Sequence, residues 1–495
     1  MKKKLLIVLI LMFYVWTATQ GEFTIHLNSS KITSYNYLAS AFLKGQVYLP
    51  IEVPSELLVL KDPYDPVANF NLRTGNNSLY QDLSLYKGRF YLYYGPSPVV
   101  LLYIPFKLFL SRFMPDGLVA FVFLAGSFLF SVLIMGFLKN KYFNSSPKWI
   151  ELISIAVLGI ANLSPFLLRR ALMYEVAIAC SCFFLIGAIY FICLGMHNKN
   201  PKLLLLLTGI FLGLGLGGRL YFVFCEVLLI CTILIFMRCK KIKNIDTTSI
   251  LYLIVPFIFS LIALGYYNYI RFESFFENGF KYQITTQNNK ALSIYSIKNV
   301  LSNFYFYTIY PPMLSSYFPF VHMKSWIPSS DLIGIYSIVN EFEKIVGIFI
   351  GIPFILLLLF TPFIYILFIG KFRTPAIKFP TIESLLILVP AFMNFVLLLF
   401  FKFVLIRYVA DYITLLILAS TILWFYIDTN LSKKPYIRFT IRLLMIFLSV
   451  ITIILAIAFS IQGPGDILNY CNPSEFRRLE EYFKPISILI EKIIR

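Results

Sequence analysis

Three aspartates in one long segment between apolar blocks are the first candidates for chemistry. Asp62 and Asp65 lie in the run DPYDP at 62–66, and Asp82 heads the stretch DLSLYKGRFYLYYGPSP at 82–98. Asp62 and Asp65 each precede a proline, which holds them in extended or turn geometry. Asp82 precedes a tyrosine-rich, extended segment that ends in a Pro/Gly turn. A carboxylate in a partly dehydrated, tyrosine-lined site is a natural general base, because dehydration raises its pKa towards the working range. The plain alternative for each is an Asx turn in a surface loop.

Arginines and acids recur together at the ends of the apolar blocks: Arg169, Arg170 and Glu175; Arg219; Asn268, Arg271, Glu273 and Glu277; and Lys402, Arg407 and Asp411. Charge at such positions is costly and usually has a role. Snorkelling to the interface accounts for any single one of them. A hairpin turn does not by itself require arginine and acid at each crossing. The sharper reading is a polar cavity in which Arg170, Arg219 and Arg407 hold a phosphate or pyrophosphate, since the guanidinium fork matches phosphate oxygens and stays charged. Tyr174, Glu175, Asn268, Arg271, Glu277 and Asp411 would line it, and Glu226 lies deeper, two helical turns below Arg219.

Other chemistries are set aside by pattern. His26, His197 and His322 are far apart, and HExxH, Walker-type glycine loops and GxSxG are absent from the sequence. GLGLGG at 213–218 lies inside an apolar block, where small residues allow helices to approach closely. The seven cysteines have no paired spacing, so neither a disulfide framework nor a zinc site is indicated.

The elements that must position these groups are membrane helices. Of 495 residues, 59% are hydrophobic and 14% charged, with a mean hydropathy of +0.79; a soluble chain carries roughly a quarter charged residues. Apolar blocks fall near 116–137, 149–168, 175–195, 203–218, 220–237, 249–270, 345–370, 381–401, 409–427 and 440–461, after a basic, apolar N-terminal segment. The expected fold is therefore all-α and polytopic, with about eleven spanning helices. The N-terminal segment reads as an uncleaved first helix, with a cleaved signal peptide as the alternative. Alternate connections are basic, among them Lys139, Lys141 and Lys148, then Arg238, Lys240, Lys241 and Lys243, and Lys433, Lys434 and Arg438. That asymmetry puts the N-terminus in the cytoplasm and residues 22–96, 271–343 and the tail from 463 outside. The net charge of +19 thus belongs to membrane loops and not to a nucleic-acid arm. Residues 1–462 form the membrane domain, and 463–495 a short external tail. Residues 34–48 and 99–113 are expected as amphipathic interfacial helices, the second stopped by Pro115. The aromatic stretch 304–326 is expected as an interfacial belt.

Several stretches, taken in order, resemble the GT-C superfamily of membrane glycosyltransferases, which use polyprenyl-phosphate-linked sugars. They are YNYLASAFLKGQVYL (35–49), DLSLYKGRFYLYYGPSP (82–98), RRALMYEVAIA (169–179), GLGGRLYF (215–222), YNYIRFESFFENGFKYQIT (267–285) and RYVADYITLLILAS (407–420). The resemblance implies a large first external loop with two interfacial helices, and inversion at the anomeric carbon by one carboxylate of that loop. The family's acid commonly follows the first helix, but 26–38 holds none, and Gly95-Pro96-Ser97-Pro98 stands where relatives often show His-Pro-Pro. The base then falls to Asp82 first, or to Asp62 or Asp65, with Tyr91, Tyr93 and Tyr94 placed to stack on sugars. The partners implied are a polyprenyl-phosphate sugar, membrane lipid and a glycan, lipid or protein acceptor in the cell envelope. The resemblance fixes no cofactor; some relatives use a divalent cation, for which Asp62 and Asp65 would be the start of a site. Two further classes stay open: a transporter or flippase for a lipid-linked or anionic substrate, which Glu226 would serve, and a catalytically inactive relative acting in assembly.

Overall fold

The structure, a computed structural model, describes residues 2–24, 32–74, 80–290, 293–323, 338–339, 344–359 and 379–494. His26, the aromatic stretch beyond Met323, the second half of the 345–370 block and the basic connection that follows it lie outside the described residues. The helices that frame the molecule are α1 (Lys2–Ala18), α2 (Ser34–Leu43), α3 (Ile104–Leu110), α4 (Asp116–Tyr142), α5 (Lys148–Ile160), α6 (Met173–Gly195) and α7 (Lys202–Leu216). They continue as α8 (Val223–Arg238), α9 (Leu251–Phe272), α10 (Thr381–Phe400), α11 (Ala410–Asn430), α12 (Pro435–Gln462) and α13 (Pro473–Ile494).

Among the described residues eight helices are long and apolar enough to cross a membrane: α4, α5 with its extension, α6, α8, α9, α10, α11 and α12. The chain is a multi-pass, predominantly helical membrane protein. At 17 and 15 residues, α1 and α7 are shorter, but α1 packs along α4 and α5, and α7 between α6 and α9. The described part of the 345–370 block is broken into the short turns Ile348–Gly351, Pro353–Ile355 and Leu356–Leu359. The 149–168 block is also divided. Leu163 takes a left-handed conformation (φ 63°), so α5 stops at Ile160 and a separate turn, Ser164–Leu168, follows.

Ion pairs with buried or part-buried acids tie the bundle at the end where the short basic loops lie. Lys3 and Lys139 meet Glu151 at 2.7 and 2.8 Å, joining α1, α4 and α5. Arg438 and Arg442 of α12 grip Asp428 of α11 at 2.7 and 2.6 Å. Glu383 of α10 accepts from Tyr142 at 2.5 Å and lies 2.7 Å from His197. The centre of the bundle is α11, which is buried over nearly its whole length.

At the opposite end the long connections fold onto the helix tips. Both interfacial segments form, with differences at their ends. Tyr35 and Leu38 of α2 are fully buried, against a π-helical turn, Val99–Tyr103, that runs into α3. The second segment ends at Leu110, where Ser111 turns left-handed (φ 53°), and Pro115 instead opens α4. A hairpin pairs β1 (Ser84–Tyr86) with β2 (Arg89–Tyr91). It is stitched to a loop two hundred residues away, with Asp82 N–H donating to Ile284 O at 2.8 Å and Ile284 N–H to Leu83 O at 2.9 Å. The two large loops are therefore one layer.

The glycine run packs helices, as its small residues imply: a Cβ on Gly213 would lie 2.0 Å from the Ser260 hydroxyl of α9, and glycines outside the run do the same. A Cβ on Gly209 would lie 2.2 Å from the Leu253 carbonyl of α9, and one on Gly95 would lie 2.4 Å from the Gly217 carbonyl at the end of α7. No rotamer relieves a clash with backbone. We expect Gly209→Ala to cost about 1–3 kcal/mol by overpacking, read as a fall in the melting temperature of the purified protein. Gly117→Ala, where the added carbon has only the Ala18 carbonyl at 4.0 Å, should leave it unchanged.

Candidate active site

Asp82 is placed by backbone before its side chain enters the account. It adopts a left-handed conformation (φ 61°), which aspartate tolerates better than most residues. Its N–H is bonded to Ile284 O, and its carbonyl accepts from Gln283 at 3.2 Å. The carboxylate accepts from the Tyr174 hydroxyl on one oxygen and from the Gln81 amide at 3.2 Å on the other. Tyr174 stands at the start of α6. Arg407, from the turn before α11, stacks over its ring at 4.4 Å. Glu175 is next to it, 3.7 Å from Arg407 and 3.4 Å from Arg170, and also accepts the Leu172 N–H at 3.0 Å. The first loop, α6 and α11 thus meet in one polar cluster.

A second pair lies beside it. Arg219 meets both oxygens of Asp411 at 3.0 and 2.8 Å, with the Tyr221 hydroxyl donating to the same carboxylate. The guanidinium lies over the rings of Tyr221 and Tyr408 at 4.6 and 5.0 Å. Burial works against its charge, but Asp411 and the flanking phenols outweigh that and hold its pKa above the ordinary value.

Arg271 is held differently. It donates to Leu92 O and to Asn268 Oδ1, both at 2.6 Å, and lies 3.9 Å over the Tyr267 ring. Among the described residues it makes no ion pair, although it is buried. Together with Arg219, Asn268, Tyr93, Tyr94 and Tyr408 it lines a cavity of about 290 Å³. Leu264, Leu397, Leu398 and Phe401 supply an apolar wall. Burial raises the pKa of both the Tyr93 and Tyr94 phenols, so they are neutral hydrogen-bonding groups. Tyr94 also connects the cavity to the first cluster, since its ring lies 6.1 Å from Tyr174, edge to face.

The residues singled out from sequence therefore divide. Asp82, Tyr174, Glu175, Arg170 and Arg407 share one cluster, while Arg219, Asp411, Asn268 and Arg271 surround or adjoin the cavity. Asp62 and Asp65 close turns: Asp62 accepts from Tyr64 N–H at 3.0 Å and Asn288 at 3.0 Å, and Asp65 accepts from Val67 N–H at 2.9 Å. Among the described residues no group of three His, Cys, Asp or Glu side chains gathers as metal ligands. Glu277 likewise caps a turn at Gly279 N–H (2.8 Å) and pairs with Lys281 at 2.8 Å. Glu226 is fully buried against Gly215 and does not line the cavity. Tyr93 and Tyr94 face the cavity, whereas Tyr91 packs on Phe272 at 5.2 Å.

Sequence reasoning missed Asp116. It is buried and accepts from Thr33 at 2.8 Å and Tyr103 at 2.5 Å, joining both interfacial segments to α4. Its signal was the acidic residue directly after Pro115, which marks a helix start.

No protein-family model matches the chain, and no curated protein sequence matches it. Among solved structures, it is similar to ArnT from Cupriavidus metallidurans bound to undecaprenyl phosphate, at 10% identity and a TM-score of 0.42, over 94% of this chain and 76% of that one. It is also similar to the Archaeoglobus fulgidus oligosaccharyltransferase in its apo form, at 14% identity and a TM-score of 0.46, over 97% of this chain and 59% of that one. The same enzyme tethered to an acceptor peptide containing the NVT sequon gives 12% identity and a TM-score of 0.43, with 97% and 58% covered.

The Arg219–Asp411 pair yields a stability prediction. Asp411→Asn leaves a buried guanidinium without its counter-charge and should cost about 3–5 kcal/mol, measured by thermal unfolding in detergent. Adding Arg219→Gln to Asp411→Asn should recover part of the loss.

Proposed function

We propose that the protein is an inverting glycosyltransferase that moves a sugar from a polyprenyl-phosphate donor to an acceptor hydroxyl, at the membrane face carrying the two long loops. The observation that carries this reading is a mostly apolar cavity holding a buried arginine, Arg271, with no carboxylate partner among the described residues. An anionic group is the chemical complement of that guanidinium, and the apolar wall suits a lipid tail. The ordered resemblance to GT-C enzymes points to the same donor class.

The donor phosphate sits against Arg271, with Arg219 alongside. The sequence alone favoured Arg170, Arg219 and Arg407. In the fold each of those three is compensated by an acid, Glu175 or Asp411, so Arg271 takes the first role. Negative charge grows on the departing phosphate in the transition state, and a fixed guanidinium stabilises it there. The acceptor oxygen forms its bond to the anomeric carbon as the carbon–oxygen bond to phosphate breaks. Its proton passes to Asp82, whose carboxylate Tyr174 and Gln81 orient. Asp82 stands outside the cavity rim, half exposed and one tyrosine pair away, so acceptor and donor approach from different sides. Tyr93 and Tyr94 face the sugar between them. The loop-rich end is external and the N-terminus cytoplasmic in this reading, following the basic loops at the other end.

With the protein in nanodiscs and a panel of polyprenyl-phosphate sugars, Asp82→Asn should lower kcat by about 10²–10⁴-fold. Arg271→Gln should raise KM for the donor. Transfer at the wild-type rate by Asp82→Asn would remove that carboxylate as the base.

A further inference from the structure

A second cavity, of about 500 Å³, lies between the exit of α1, the start of α4, the 168–172 turn and the segment after α12. Its lining is amphipathic: Val15, Leu118 and Phe121 on one side, and Gln20, Arg169 and Arg170 among the polar groups. These residues belong to helix tips, so the cavity sits where lipid headgroups meet the protein.

Arg169 is the unusual member. It is 1% exposed. Its Nε donates to Ser460 O at 2.8 Å, and its guanidinium lies 4.0 Å over the Trp16 ring. Among the described residues neither Nη1 nor Nη2 has a hydrogen-bond partner. The root of the side chain packs closely on Gly463, where an added Cβ would lie 3.0 Å from the Arg169 Cβ and 3.2 Å from its Cγ. Buried donors without partners are expensive, and charged ones more so. Burial lowers the guanidinium pKa to about 9, with Glu475 acting in the opposite sense. Glu475 is engaged elsewhere, with the Trp16 indole at 3.4 Å and Arg478 at 2.8 Å. Two further acids stand near: Glu22 lines the cavity, and Glu175 is paired with Arg170. Arg169 itself forms no ion pair among the described residues.

We propose that this cavity is a binding site for the phosphate headgroup of an anionic membrane lipid, with Arg169 as its main ligand and the apolar side seating the acyl chain. It is separate from the Arg271 cavity and adjoins the Asp82 cluster only at Arg170, which is held by Glu175, so the proposal does not rest on the glycosyltransferase reading. A phosphate supplies acceptor oxygens for the two unpartnered amino groups and charge for the guanidinium, and the bilayer supplies it in the plane of the helix tips.

The test is native mass spectrometry of the delipidated full chain, titrated with phosphatidylglycerol, phosphatidylcholine or inorganic phosphate. The wild type should bind one phosphatidylglycerol at least tenfold more tightly than phosphatidylcholine, at ~1.4 kcal/mol per tenfold. Arg169→Gln should abolish that preference. Because Arg169→Gln removes a core side chain, Gly117→Leu is the second variant. Gly117 lines the cavity and has open space around it, so leucine fills the cavity while Arg169 stays. It should weaken phosphatidylglycerol about tenfold. Unchanged phosphatidylglycerol binding in Gly117→Leu, equal binding of the two lipids by the wild type, or competition by free phosphate as strong as by lipid would each overturn the proposal.

Discussion

Burying a charge in a membrane protein is costly unless something opposite lies within reach, and the Arg219–Asp411 contact is where this fold depends on that rule most. Arg219 follows the glycine-rich end of α7, and Asp411 opens the buried central helix α11. Their contact fixes the height of one helix tip against another. Tyr408, one turn from Asp411, then has its ring against the arginine and toward the cavity. Arg407 beside it is set over Tyr174, and Tyr174 holds Asp82. The position of the loop carboxylate is thus reached through a sequence of contacts that begins at an ion pair in the bundle.

The bundle was largely legible because membrane helices are written in blocks. Length and apolarity gave the long spans, and the alternation of basic connections agrees with the way Lys3, Lys139, Arg438 and Arg442 gather at one end. The break at Leu163 was not legible, since a left-handed leucine between two apolar runs leaves no mark in hydropathy. The end of α3 at Ser111 escaped for the same reason, Pro115 being read as a stop when it serves as the start of α4.

At the site, the types of residue were legible and their pairing was not. Arginine and acid at each helix tip announced a polar layer, but sequence cannot say which acid neutralises which arginine. The fold gives Asp411 to Arg219 and Glu175 to Arg170 and Arg407, and among the described residues it leaves Arg271 and Arg169 without a carboxylate. Those two, unremarkable in sequence beside their neighbours, are the ones whose chemistry is unfinished. Asp62 and Asp65 illustrate the converse. The aspartate–proline pairs that drew attention to them are also what turns are made of, and their oxygens close on local amides.

The stitch between Asp82 and Ile284 has a consequence for biosynthesis. A membrane chain is laid down from its N-terminus, and the first loop emerges long before α9 is inserted. Until residue 284 has been made and has crossed to the same side, Asp82 has no partner for its N–H and no reason to hold a left-handed backbone. The first loop must therefore wait, through the insertion of six helices, α4 to α9, for a strand-like segment still inside the ribosome. A nascent chain stopped anywhere in that interval would carry the carboxylate without the geometry, so that assembly of the site is among the last events in the maturation of this half of the protein.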